Sequence, residues 1–113
     1  MRKFHGIREG VTDMNISEHI GVEALLEQTA EECTEMAHAC LKMARKLRDE
    51  NPTPMSVESC VEKLTEETAD VMLCINTLME SEVLVDDEID AVIVRKQIRW
   101  EDRINKNKLN KNI

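Results

Sequence analysis

The chain contains no tyrosine, one phenylalanine and one tryptophan in 113 residues, with three glycines and two prolines. So little aromatic and turn-forming material excludes a many-stranded sheet, which needs both. No run approaches the ~20 apolar residues of a membrane span. The opening Met1-Arg2-Lys3-Phe4-His5-Gly6 has no apolar signal region, so a cytoplasmic protein without a membrane partner is expected. The four cysteines, Cys33, Cys40, Cys60 and Cys74, form no C-x-x-C pair. All four fall at or near expected helix-core positions, where cysteine acts as a small hydrophobe, which argues against zinc and disulfide roles. Positive charge is scarce over most of the chain: residues 18–90 carry nineteen acids against five Lys or Arg, whereas residues 91–113 carry seven Lys or Arg against two acids. A net charge of -8 argues against general nucleic-acid binding. The basic end could hold phosphates, or could complement the acidic body.

What is present is helix-forming. Leucine, methionine, alanine, glutamate and lysine dominate, and the expected class is all-α. The length suits one domain with a modest core that oligomerisation would help. Residues 1–15, with Gly6 and Gly10 and no sustained period, read as an irregular arm, residues 16–105 as the helical domain, and the polar residues 106–113 as a frayed tail. Ser17 is expected to cap a short turn over residues 18–20, and Gly21 to break the entry into a long helix, Val22–Arg48. Asn51-Pro52-Thr53-Pro54 stops that helix, and Ser56 caps a second one, Val57–Glu80. Asp86 or Asp87 can cap a third helix over residues 88–105, with Val85 as a staple. Short connections favour antiparallel neighbours in a bundle.

The first long helix carries Val22, Leu25, Leu26, Thr29, Cys33, Met36, Ala37, Cys40, Ala44 and Leu47 at the spacing of one buried face. At about 100° per residue, Glu32 then stands on the edge of that stripe and Glu35 about 60° beyond it. On the second helix Cys60, Leu64, Val71, Ile75 and Leu78 set the apolar face, and Glu67 and Asp70 stand on it or at its edge. Two helices therefore offer paired acids to one interior. Carboxylates about 4 Å apart repel by roughly 4 kcal/mol at an effective dielectric of about 20, so four together require protons or cations. All-oxygen donors suit a hard divalent ion, Mg²⁺ or Mn²⁺. Taken singly, E-x-x-E on a helix is more often a solvated face, and Lys63, four residues before Glu67, offers that residue a plain ion pair. On the third helix Ile89, Ile93, Trp100 and Ile104 form the apolar face, with Lys96 and Arg103 beside Trp100. Trp100 reads as core sooner than as a base-stacking platform.

Glu31-Glu32-Cys33-Thr34-Glu35 matches E-E-x-x-E, and Glu67-Thr68-Ala69-Asp70 matches the E-x-x-D that follows on the next helix in the MazG-like all-α nucleoside triphosphate pyrophosphohydrolases. Lys96-Gln97-Ile98-Arg99-Trp100-Glu101-Asp102-Arg103 resembles the K-x-x-R-W-x-x-R of shorter members, so the likeness spans about residues 16–104. The resemblance implies that Glu32, Glu35, Glu67 and Asp70 ligate Mg²⁺, with Glu31 as an outer or water-orienting group. It further implies that Lys96, Arg99 and Arg103, with Trp100 beside them, approach a nucleoside triphosphate. The expected fold is then an antiparallel bundle of that family's type, completed as a homodimer or homotetramer, because three amphipathic helices in so short a chain leave apolar surface uncovered.

Two other readings compete. Glu35-x-x-His38 imitates the Glu-x-x-His of di-iron carboxylate bundles, but the corresponding second position is Asp70, and His38 points away from the stripe as a surface residue. A non-enzymatic helical assembly protein would leave its acids solvated, and Glu67 and Asp70 on the apolar side count against it.

Overall fold

The computed structural model describes residues 9–49 and 54–111. Among them are a single 3-10 turn, η1 (Ile16–Glu18), and three α-helices, α1 (Val22–Arg48), α2 (Val57–Glu80) and α3 (Asp86–Lys111), with no strand. None of these helices is long and apolar enough to cross a membrane. The boundaries of α1 and α2 are those expected. Gly21 stands in extended geometry as the α1 N-cap, and the Ser56 hydroxyl accepts from the Ser59 N–H at the start of α2. Asn51, Pro52 and Thr53, expected to stop α1, lie outside the described residues, as do residues 1–8. Within them, α1 ends on Asp49 in the left-handed region, φ 55°, with its N–H on the Arg45 carbonyl. Arg45, Lys46 and Arg48 in the last turn complement the helix dipole.

Two expectations are corrected. The short turn is capped by Asn15, whose side chain accepts from the Ser17 N–H, and covers Ile16–Glu18 instead of residues 18–20. Helix α3 continues to Lys111 and does not stop at Asn105. No glycine or proline interrupts it there, and Lys108 and Lys111 favour its negative end.

α1 and α2 form an antiparallel hairpin. From Thr29 beside Cys74, through Glu35 beside Glu67, to Ala39 and Lys63 on one cavity, one number climbs as the other falls. The contact is a seam. On α1 Leu25, Thr29, Glu32, Met36, Ala39, Met43 and Lys46 are buried or half-buried and alternate four and three residues apart, with Ala44 half-buried beside them. On α2, Cys60, Leu64, Glu67, Val71, Cys74 and Leu78, all buried or half-buried, follow the same alternation, the repeat of coiled-coil packing, within a broader covered face that widens towards the end of the helix. Glu32 and Glu67 thus occupy seam positions, which explains how carboxylates come to lie between two apolar faces.

The α1 stripe therefore differs from the expected one by a small rotation. Cys33, Ala37, Cys40 and Leu47 are exposed, and so are Val22 and Leu26, so two of the four cysteines leave the core and only Cys60 and Cys74 are buried. Leu26, Ala30, Cys33, Ala37, Cys40, Ala44 and Leu47 form a second stripe of the same alternation, one residue out of step with the first.

α3 has no buried residue. Ile93, Trp100 and Ile104 are exposed, Trp100 at 69%, so the expected core role of the tryptophan is not realised within one chain. The radius of gyration, 18.3 Å, exceeds the ~13 Å of a compact chain this long, as an unpacked helix requires. A left-handed residue, Glu82 (φ 66°), stands in the short connection between α2 and α3.

If the hairpin seam carries the stability, truncating Leu78, 3% exposed, to alanine should cost about 2–4 kcal/mol. Leu109→Ala, at a residue 66% exposed, should stay within about 0.5 kcal/mol. Chemical denaturation of both variants checks this, and equal losses would contradict the assigned core.

Candidate metal centre

Midway along the hairpin the two acidic pairs meet. One carboxylate oxygen from each of Glu32, Glu35, Glu67 and Asp70 lies within 4.8 Å of all the others. Glu67 is 3% exposed, Glu32 and Asp70 are half-buried, and Glu35 is exposed. The three-residue spacing in each helix puts both acids of a pair on one side, and the antiparallel register sets Glu32 against Asp70 and Glu35 against Glu67.

Hydrogen bonding leaves this cluster incomplete. Gln28 Nε2 donates to Glu32 Oε1 at 2.7 Å, and Lys63 Nζ approaches Glu67 Oε1 at 2.7 Å. The ion pair anticipated for Lys63 is thus present. Yet Glu32 Oε2 and Glu67 Oε2 are both buried with no hydrogen-bond partner. A buried carboxylate oxygen without a donor from the protein calls for another partner. A cation coordinated by Glu32 and Glu67 is one partner that could complete them.

The titration pattern has the same origin. Glu35 is pushed above its usual range, first by its hydrogen bond to Glu67, which favours the protonated form, and then by the charges of Glu32 and Glu67. Lys63 holds Glu67 below its usual range and outweighs burial, which acts in the opposite direction, while the hydrogen bond from Glu35 lowers it further. The Lys63 ammonium is raised in turn by Glu67. Cys74, one turn beyond Asp70, is a buried thiol pushed up by desolvation. A raised thiol is a poor nucleophile, so Cys74 lines the interior without reacting.

The donor set is all oxygen and formally fourfold negative, which fits a hard divalent cation. Opposite ligands of an octahedral ion at ~2.1 Å are about 4.2 Å apart. Adjacent ligands are closer, about 3.0 Å, so oxygens spread over as much as 4.8 Å must draw together for one ion to bind all four.

The remaining expected site residues are distributed differently. Glu31 is exposed on α1 and outside the four-carboxylate cluster. Lys96, Arg99, Trp100 and Arg103 lie together on one exposed face of α3, and none belongs to the acidic cluster. His38 is exposed, as expected of a surface residue, but it also lines a cavity of about 250 Å³ with Glu35, Ala39, Lys42, Lys63 and Glu67. Lys42 was not singled out from the sequence, where it reads as one of several basic residues ending α1. Its distance from the acidic motif, seven residues or two turns after Glu35, is the signal that could have found it.

No family model, curated protein or solved structure matches this chain.

Glu35 sets an expected pH dependence. Its carboxyl is raised in the folded state, so folding favours its proton, and stability falls as pH rises from about 4.5 through the raised folded value. Glu67, depressed, acts in the opposite window: its contribution is present above 4.5 and is lost as pH falls through its lowered value. In metal-free buffer, thermal melts should decline from pH 4.5 towards neutrality, and Glu35→Gln should flatten that decline. Millimolar Mg²⁺ or Mn²⁺ should restore stability near neutral pH, and a matched ionic strength of KCl should not.

Proposed function

We propose that the chain is a Mg²⁺-dependent nucleotide pyrophosphohydrolase, converting a (d)NTP to (d)NMP and pyrophosphate. The observation that carries this reading is the meeting of the E-E-x-x-E and E-x-x-D motifs in one partly buried cluster with two orphaned carboxylate oxygens. Glu32, Glu35, Glu67 and Asp70 hold the cation, Mg²⁺ or in its place Mn²⁺. When bound, such an ion neutralises charge on phosphate oxygens and acidifies water for attack at the α-phosphorus. Gln28 fixes the Glu32 carboxylate from outside. Glu31, on the solvent side, orients the attacking water. Glu35, with its raised proton affinity, releases a proton when the cation enters, so metal uptake is opposed by acid.

The same reading assigns Lys96, Arg99, Trp100 and Arg103 to the nucleotide. They lie on a helix unpacked against its own hairpin, and a second copy would bring such a helix and a hairpin together. The exposed stripe from Leu26 to Leu47 is the natural contact for that copy: its central residues, alanine and cysteine, permit close helix approach, and Leu26 and Leu47 flank them. The protein in this reading is a homodimer or homotetramer of the all-α pyrophosphatase type, working in the cytoplasm. A di-iron site is disfavoured because the cluster comprises four carboxylates without His38.

Incubation with individual NTPs and dNTPs plus Mg²⁺ should release pyrophosphate. Glu67→Gln and Asp70→Asn should each lower the rate more than 100-fold, beyond the ~10–100-fold typical of losing an outer partner. Silence with every nucleotide, together with tight iron binding and an oxo-bridge absorption band, would select the di-iron alternative. Light scattering should give a multiple of the 13.0 kDa chain mass, and Ala37→Glu should shift it to the monomer.

A further inference from the structure

The cavity of about 250 Å³ between α1 and α2 shares Glu35 and Glu67 with the acidic cluster, and its other polar lining residues are His38, Lys42 and Lys63. Its lining thus brings two acids of the cluster together with two lysines. The groove is open to solvent and leaves room for a group the size of a diphosphate. Lys63 is the only Lys or Arg on α2, and its side chain is about half exposed although its Nζ sits 2.7 Å from Glu67. A divalent cation and an ammonium compete for the same carboxylate. A cation on Glu67 Oε2 would weaken the hold of Oε1 on the ammonium, which could then turn into the cavity that Lys42 also lines.

We infer that this cavity receives the phosphate tail of the substrate, the two phosphoryl groups that leave as pyrophosphate, and that Lys42 and Lys63 are its anion ligands. The inference rests on the reading of the acidic cluster as a divalent-metal site. In the metal-free protein Lys63 serves as the counter-ion of Glu67. In the loaded protein it serves the oligophosphate, so no charge need be imported to neutralise the departing group. His38 at the rim adds a hydrogen-bond donor.

The test uses the full-length protein, with Mn²⁺ alone and then inorganic pyrophosphate at saturating Mn²⁺, both followed by calorimetry. Lys42→Gln and Lys63→Gln should each weaken pyrophosphate at least tenfold. Mn²⁺ affinity should be unchanged in Lys42→Gln and equal or tighter in Lys63→Gln. Lys63→Arg should recover part of the lost affinity. Circular dichroism checks folding, and if Lys63→Gln does not fold, Lys42→Gln decides. Mn²⁺ binding with unaltered pyrophosphate affinity in the lysine variants, or loss of that affinity only in Arg99→Gln, overturns the inference and leaves the metal site standing. Failure of wild-type protein to bind Mn²⁺ overturns both.

Discussion

The arrangement depends on one costly placement, a carboxylate at position 67 in the seam between two helices. An apolar residue there would pack without electrostatic penalty, and the flanking positions, Leu64 and Val71, show what the repeat otherwise prefers. Glu67 instead brings a charge into contact with Glu35, and Glu32 does the same one turn earlier, facing Asp70. Lys63 offsets part of the cost and Gln28 steadies another part. Neither completes the bonding of the inward oxygens. Structural roles are served by satisfied polar groups, whereas groups left short of partners by their own fold are those a ligand can complete.

Much of the hairpin was legible because its signals are local and agree with one another. Both helix spans, the Gly21 entry and the Ser56 cap follow from spacing and end chemistry alone, and the three-residue separation within each acidic pair fixes its two side chains to one shoulder. The rotation of α1 was less legible, for a definite reason. Two apolar stripes of equal period, one beginning at Leu25 and the other at Leu26, merge in the sequence into a single broad face. Only the partner helix decides which is buried, and it chose the one containing Glu32. Cys33 and Cys40 therefore appear as core residues in the sequence and as surface residues in the structure.

α3 shows the opposite failure. Its apolar positions suggest a buried face, but burial requires a neighbour, and among the described residues none covers Ile93, Trp100 or Ile104, so Trp100 faces solvent. Its extension to Lys111 was missed because the polar, repetitive Lys-Asn composition resembles a frayed end, while the absence of breakers and the favourable charges at the carboxyl end continue the helix. The acidic residues could be found from the sequence because two short motifs specify them. The Lys42 wall of the neighbouring cavity could not, since its significance comes from the crossing of two helices and from no motif of its own.

The unpacked third helix also has a mechanical consequence. Its first turns, where Asp86, Ile89 and Val92 are half-buried, tie it to the connection around Glu82, and beyond Val92 its residues are exposed. Twenty-six residues amount to about 39 Å of rod, so a swivel of about 10° at its base carries the far tip some 7 Å and the level of Trp100 roughly 4 Å. A small change in the joint at its base is therefore magnified along the rod, most of all at the far end beyond Trp100.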